Sequence, residues 1–376
     1  MSSSAKTSAA VPSDIPSTMH GVVLTGHGGP EKLVYREDLE VPRPDPSEVL
    51  IRVSAAGINN TDINTRIGWY SKSVKTGTES SYDSQTARTN EEDDDATWSG
   101  NPMQFPRIQG ADCCGRIVVV GSDVSSDRIG ERVLVRNMLR HYVGYRPFEC
   151  WTFGSEVDGG FAQYAKAPAR EVFKVDCNWS DEALGAVPCA YSTAEGMLHR
   201  AGLNAGDSVV ITGASGGVGT AAIQLAKRRK ANVFAVCRQD KADQIRALGA
   251  DHIIPRGQSV VEAIGKERID LVIDLVAGPT FPESLDVLKK GGRYAVAGAI
   301  AGPLVQLDVR TLYLKDLTFF GCTFQDDEVF SNLVSYIERG EIEPPAVKAY
   351  PLRDISVAQE DFLSKDWPGK LVLQVQ

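Results

Sequence analysis

Ser208-Val209-Val210-Ile211-Thr212-Gly213-Ala214-Ser215-Gly216-Gly217-Val218-Gly219-Thr220 is the stretch that decides the fold. Its first five residues carry no charge and include three consecutive β-branched apolar side chains, the pattern of a strand buried on both faces. From 220 to 230, Ala221, Ile223, Leu225 and Ala226 supply the apolar face of a helix. Glycines between a strand and a helix permit a tight turn, let the backbone approach a pyrophosphate and pack the helix on the strand. The helix N-terminus adds unpaired N–H groups and the positive end of a dipole. This turn predicts a dinucleotide site using Gly213, Ser215, Gly216, Gly217 and Val218.

Downstream, strands and helices alternate, the signature of βαβ units and a parallel sheet. Strands are predicted at Asn232-Val233-Phe234-Ala235-Val236, His252-Ile253-Ile254, Asp270-Leu271-Val272-Ile273-Asp274 and Arg293-Tyr294-Ala295-Val296-Ala297. Helices are predicted over 241–248 and 282–290. The end of the second strand selects the cofactor, because an NAD site places a carboxylate there for the ribose 2′-hydroxyl. Here that end carries Cys237-Arg238, with Lys241 close behind and Arg256 just after the third strand. Cations without an acid suit a 2′-phosphate, so NADPH is the expected cofactor. Ala277 and Ala297 follow sheet strands, where small side chains let a cofactor lie close.

The upstream half has a different texture. Short β-like runs such as Val49-Leu50-Ile51-Arg52-Val53 and Ile117-Val118-Val119-Val120 alternate with Gly- and Pro-rich turns, which predicts a barrel-like β domain. From 71 to 101 the chain is polar, with the acidic run Glu91-Glu92-Asp93-Asp94-Asp95; it reads as a solvated insertion or as a lid over a substrate entrance. Beyond 317 one more strand, a helix over 326–339 and a closing strand at 370–375 are expected to return to the β domain.

Bulk properties narrow the function. A chain of 376 residues exceeds one compact core, so two domains are expected. The formal charge of −9 argues against a surface built for nucleic acid or anionic lipid. Seven scattered cysteines suit reduced thiols in a cytoplasmic setting. Residues 1–18 lack the apolar run of a signal peptide and read as a flexible tail.

Several ordered segments resemble the medium-chain dehydrogenase/reductase superfamily. They are Ala56-Gly57-Ile58-Asn59-Asn60-Thr61-Asp62, Pro106-Arg107-Ile108-Gln109-Gly110-Ala111-Asp112, Asp158-Gly159-Gly160-Phe161-Ala162-Gln163-Tyr164, the glycine turn and Gly369-Lys370-Leu371-Val372-Leu373. The resemblance implies an α/β protein: a Rossmann doubly wound parallel sheet over 182–316 plus a GroES-like β-barrel catalytic domain from 19–181 and 317–376. It also implies an active site between the domains and a homodimer through the Rossmann sheet edge. In the zinc alcohol dehydrogenases of this superfamily the catalytic ligands would fall on Asn59, Ala111, Asp112 and Cys189, and only the last keeps a thiol. Alanine cannot ligate and an amide is a poor substitute, so that site reads as dismantled. The structural zinc lobe, around 136–157, keeps only Cys150. An unconventional set of Asp112, Cys113, Cys114, Cys189 and His141 is disfavoured because adjacent cysteines tend to point apart.

The zinc-independent quinone oxidoreductase-like branch is the closer resemblance. It implies that Asn59 makes polar contact at the nicotinamide and substrate end, and that Thr193 lies beside the nicotinamide amide. Without a Lewis acid a plain ketone loses electrophilic help, whereas a conjugated acceptor delocalises the incoming charge itself. The expected reaction is therefore NADPH-dependent reduction of a quinone or an activated C=C bond, with Asn59, Tyr70, Tyr191 or Tyr142 bonding the developing oxyanion. Two alternatives stay open: a zinc-type alcohol dehydrogenase with degenerate ligands, and a non-enzymatic NADPH-binding protein.

Overall fold

The computed structural model describes residues 15–78 and 96–375. Its second half holds a six-stranded parallel sheet. In chain order the strands are Ser208–Ile211, Asn232–Cys237, His252–Pro255, Ile269–Asp274, Leu288–Val296 and Thr318–Gly321, and in space they run 3-2-1-4-5-6. The first strand pairs on one side with the second (Val209 with Val233) and on the other with the fourth (Val209 with Leu271). The direction of chain progression reverses there, and the crevice at the carboxyl ends of those strands is the binding place of such sheets.

Alternation along the strands explains why both faces are covered. Val209 and Ile211 point into a core with Ala221, Ala222 and Leu225 of helix Gly217–Arg228. Val210 points to the other side, against Phe281, Leu285 and Tyr294. This is the doubly wound arrangement expected from the sequence.

The first half is antiparallel. Glu48–Gly57 is its central strand, pairing with Cys114–Val120 and Tyr164–Pro168. The closing strand Lys370–Gln374 returns to the same central strand, with Val372 opposite Gly57. That places Lys370 beside residues more than 300 positions earlier (|i−j| = 311 for Asn59). A smaller sheet of Leu33–Glu40, Thr18–Leu24 and Arg107–Ile108 lies alongside.

Four expectations need correction. Thr318–Gly321 does not return to the β domain; it pairs in parallel with Leu288–Val296 as the last strand of the parallel sheet. The helix Asp327–Glu338 also stays with the cofactor half: its Phe330 and Leu333 share a core with Leu198 and Ile211. The return comes only with Val347–Pro351, which pairs with the closing strand. The helix expected over 282–290 ends at Asp286, because Leu288 to Lys290 already open a nine-residue strand. Thr18 starts a strand opposite Glu40 and so is not tail; the rest of the tail falls outside the described residues up to position 14, as does most of the polar insertion (79–95).

Candidate functional site in the interdomain cleft

A cleft of about 360 Å³ lies between the glycine turn and the β domain. On the cofactor side, Gly213 takes a φ of +60, which favours glycine, and its carbonyl accepts the N–H of Gly216 at 3.0 Å. A Cβ on Gly219 would lie 2.4 Å from Gly213 O and 2.6 Å from Ala214 Cα, so only glycine lets the helix start this close to the strand. Helix Gly217–Arg228 therefore aims its first N–H groups into the cleft. A missing side chain at the turn and free amides beyond it fit the pyrophosphate of a dinucleotide.

The floor on the opposite side is a buried polar cluster. Asn59 precedes helix Asn60–Arg66 and donates its backbone N–H to Asp62 Oδ2 at 2.8 Å. Asp62 Oδ1 accepts the N–H of Ala111 at 3.0 Å. Burial, reinforced by the nearby Asp112 carboxylate, pushes Asp62 up to about 7 against the hydrogen bonds it accepts. Asp112 Oδ1 accepts the N–H of Cys189 at 2.6 Å, near the start of helix Pro188–Arg200, and its Oδ2 accepts Asn59 Nδ2 at 2.9 Å. Lys370 completes the cluster, donating to Asn59 Oδ1 at 2.5 Å, Ile58 O at 3.1 Å and Asp112 Oδ2 at 3.2 Å. Three acceptors use all three ammonium protons. Asn59 Nδ2 also reaches Gly57 O at 3.3 Å, so both amide hydrogens of Asn59 point into the cluster and away from the cleft.

These residues do not fit a zinc ion. An ammonium group stands among Asn59 and Asp112, the carboxylate is already neutralised, and Ala111 offers no donor. Burial and then Asp112 push the Cys189 thiol up, away from the thiolate that a metal needs. Among the described residues, no group of three or more His, Cys, Asp or Glu side chains is arranged to hold a metal. Cys113 and Cys114 point into different cores, as expected of neighbours on an extended chain.

An aromatic wall rises from this floor. Thr61 Oγ1 accepts the Trp98 indole N–H at 2.6 Å and the Tyr70 hydroxyl at 3.2 Å. Both contacts use that oxygen as an acceptor, so neither uses the Thr61 hydroxyl hydrogen, and Thr61 lines the cleft. Burial pushes the Tyr70 phenol up, so it stays protonated. Asn64 lines the same space, and its buried Oδ1 has no partner in the structure.

Comparison with known proteins adds the family. Residues 217–339 match the family model for a zinc-binding dehydrogenase, and residues 83–177 that for an alcohol dehydrogenase GroES-like domain. A crystal structure from Sinorhizobium meliloti 1021, described as a candidate alcohol dehydrogenase, is 44% identical with a TM-score of 0.84, covering 96% of this chain and 98% of that one. The chain belongs to the medium-chain dehydrogenase/reductase superfamily. It is similar over 94% of its length to the quinone oxidoreductase of Lama guanicoe (28% identical, 97% of that protein). It is also similar over 94% of its length to the acryloyl-coenzyme A reductase of Metallosphaera sedula (29% identical, 99% of that protein). It is thus a quinone oxidoreductase-like member of the superfamily, an oxidoreductase that takes a nicotinamide dinucleotide and a small molecule.

Within this superfamily fold, the residues singled out from sequence separate into two groups. Asn59, Tyr70, Thr193, Gly213, Gly216, Gly217, Val218 and Ala297 all line the cleft. Ser215 sits half-buried in the turn itself. Arg238 directly follows strand Asn232–Cys237, and Arg256 donates its backbone N–H to Cys237 O at 2.7 Å, so both stand at the end of the second strand. Arg238 pairs there with Asp240 (2.6 Å) and Asp366 (3.3 Å), while Lys241 is buried and donates to Lys365 O at 2.5 Å.

Tyr191 is misplaced by the sequence reading. Cys189, Ala190 and Thr193 face the cleft from its helix, but Tyr191 turns into the core at 0% exposure, its hydroxyl bonded by Gln224 Nε2 at 3.2 Å. Tyr142 is likewise outside, donating to Glu48 Oε1 at 2.7 Å and stacking on Trp151. Ala277 is buried beneath the cleft in a turn with φ of 53, its N–H bonded to Asp274 Oδ1. Reading by sequence missed Lys370, Thr61, Asn64, Trp69 and Trp98. Lys370 and Thr61 stand inside quoted family segments, but nothing in those segments states that they meet in space.

Proposed function

We propose that this chain is a zinc-independent, NADPH-dependent reductase acting on a quinone or on the activated C=C bond of an enone or enoyl compound. The observation that carries the proposal is the Lys370 ammonium bonded to Asn59 and Asp112, where zinc enzymes of the superfamily have metal ligands. Among the described residues the only cation lining the site is already held by three internal acceptors, so they offer no Lewis acid to polarise a plain ketone. A conjugated acceptor needs less, since its carbonyl delocalises the charge that arrives.

Each residue then has a task. The glycine turn and the N-terminus of helix Gly217–Arg228 hold the pyrophosphate. Arg238, Lys241 and Arg256 surround the place of a 2′-phosphate, and a phosphate there competes with Asp240 and Asp366 for the Arg238 guanidinium. Thr193 and Ala297, which line the cleft, would hold the nicotinamide, whose reduced form would supply a hydride. Thr61, its oxygen filled by Trp98 and Tyr70, donates to the developing oxyanion. Asn59, given that role from sequence, instead orients Lys370 and Asp112 as a positioning residue.

The homodimer belongs to the same proposal. Thr318–Gly321 is an edge strand, and Leu304, Val309, Tyr313 and Leu314, just before it, are more than 60% exposed. An apolar surface beside an open edge supports pairing with a second copy.

The test is NADPH oxidation by chelator-treated protein with duroquinone and mesityl oxide as acceptors, run in parallel with NADH. Turnover that survives chelation and prefers NADPH is expected. Activity that returns only on adding zinc, or that appears only with simple alcohols and ketones, overturns the proposal.

A further inference from the structure

Trp98 reaches the cleft from the far end of the polar stretch that interrupts the β domain. Its ring centroid lies 4.8 Å from that of Tyr70, tilted by 43°, and Tyr70 meets Trp69 edge-on at 5.6 Å. All three rings line the cleft beside Thr61. Both ends of the stretch are anchored. On the near side, Trp69 Nε1 donates to Thr76 O at 3.1 Å, and Gly77 lies so close to the cofactor half that a Cβ would come 2.4 Å from Ile300 O. On the far side, Ser99 N donates to Glu156 Oε1 at 2.8 Å, while Glu156 Oε2 accepts Thr152 N at 2.7 Å.

The slot's chemistry is one-sided. Among the described residues, Lys370 is the only charged side chain lining the cleft, and its protons are already taken. Three electron-rich rings with the Thr61 hydroxyl beside them recognise a flat, neutral, electron-poor ring carrying an oxygen at its edge.

We propose that Trp98 is the specificity-determining residue of this enzyme, selecting planar cyclic acceptors of the quinone type over slender aliphatic enones. This rests on the reductase reading above and chooses between its two acceptor classes. Trp98 does so in two separable ways. Its face supplies stacking area, and its indole N–H fixes the Thr61 hydroxyl so that the proton points at the acceptor's oxygen.

Two variants divide these roles. Trp98→Ala removes ring and donor, whereas Trp98→Phe keeps a ring and removes the donor. Calorimetric titration of the full chain is expected to show duroquinone binding about 10-fold weaker in Trp98→Ala and nearly unchanged in Trp98→Phe, with mesityl oxide indifferent to both. In turnover, Trp98→Phe lowers kcat for duroquinone severalfold at unchanged KM, a split that a loss of packing alone does not produce. Circular dichroism checks that both variants fold, and Trp98→Phe carries the test if Trp98→Ala does not. Equal weakening of both acceptors, or no weakening of duroquinone, overturns the role of Trp98. Selective binding by a wild-type protein that turns over neither acceptor leaves the slot standing and removes the reductase reading instead.

Discussion

Replacing Lys370 by methionine gives the sharpest test of the cleft floor. The Lys370 side chain is 3% exposed and that of Asp112 is 0% exposed, with 3.2 Å between ammonium and carboxylate. At that separation and an effective dielectric of about 20, the Coulomb attraction is about 5 kcal/mol. Removing one member of a buried pair leaves the other charge uncompensated, and such losses run to about 3–5 kcal/mol. Asp112 would keep the Cys189 N–H and Asn59 Nδ2 as donors, which places Lys370→Met toward the lower end, about 3 kcal/mol. The double variant Lys370→Met/Asp112→Asn removes both charges. Asn59, released from Lys370, can then turn its Oδ1 toward the new amide, so most of the loss is recovered. Urea unfolding of the four proteins in the cycle, followed by fluorescence and circular dichroism, reads the coupling, expected at about 2 kcal/mol. A single variant within about 1 kcal/mol of wild type, or strictly additive losses, would refute a closed and buried pair.

Gly219→Ala places a methyl group against Gly213 O and Ala214 Cα; calorimetry should show NADPH binding lost, with about 1–3 kcal/mol of stability. Thr61→Val should lower kcat by about 10²-fold, since it removes the outward donor, whereas Tyr191→Phe removes only a core bond to Gln224 and should leave kcat within about twofold. Steady-state kinetics on the two variants side by side separates the cleft threonine from the core tyrosine. Carbon-13 NMR of the Asp62 carboxyl should give a midpoint near 7 in place of the ordinary 3.8. Because the folded pKa is the higher, the stability tied to its protonation is fully present below pH 3.8 and is lost as pH rises through about 7; a midpoint near 4 would contradict the burial. Leu314→Asp, on the exposed apolar surface, should convert a dimer to a monomer in light scattering, and a monomeric wild type would remove that part of the proposal.

Sequence by itself determined the doubly wound sheet, the glycine turn and the absence of zinc ligands at Asn59 and Ala111. Those features are written in local patterns: β-branched runs, a 3.6-residue apolar face, glycines at a strand–helix junction and residue types that can or cannot ligate. It misassigned Thr318–Gly321, because a four-residue strand carries no mark of the sheet it joins. It also misassigned Tyr191, because facing on a helix depends on which neighbour packs against it. Only the tertiary structure brought Lys370 under Asn59 and Trp98 onto Thr61. That pairing turned a supposed cleft donor into an internal brace and made Thr61 the donor proposed above. Such contacts join residues up to 311 positions apart, and no local periodicity encodes which long-range partner will use up a side chain's hydrogen bonds.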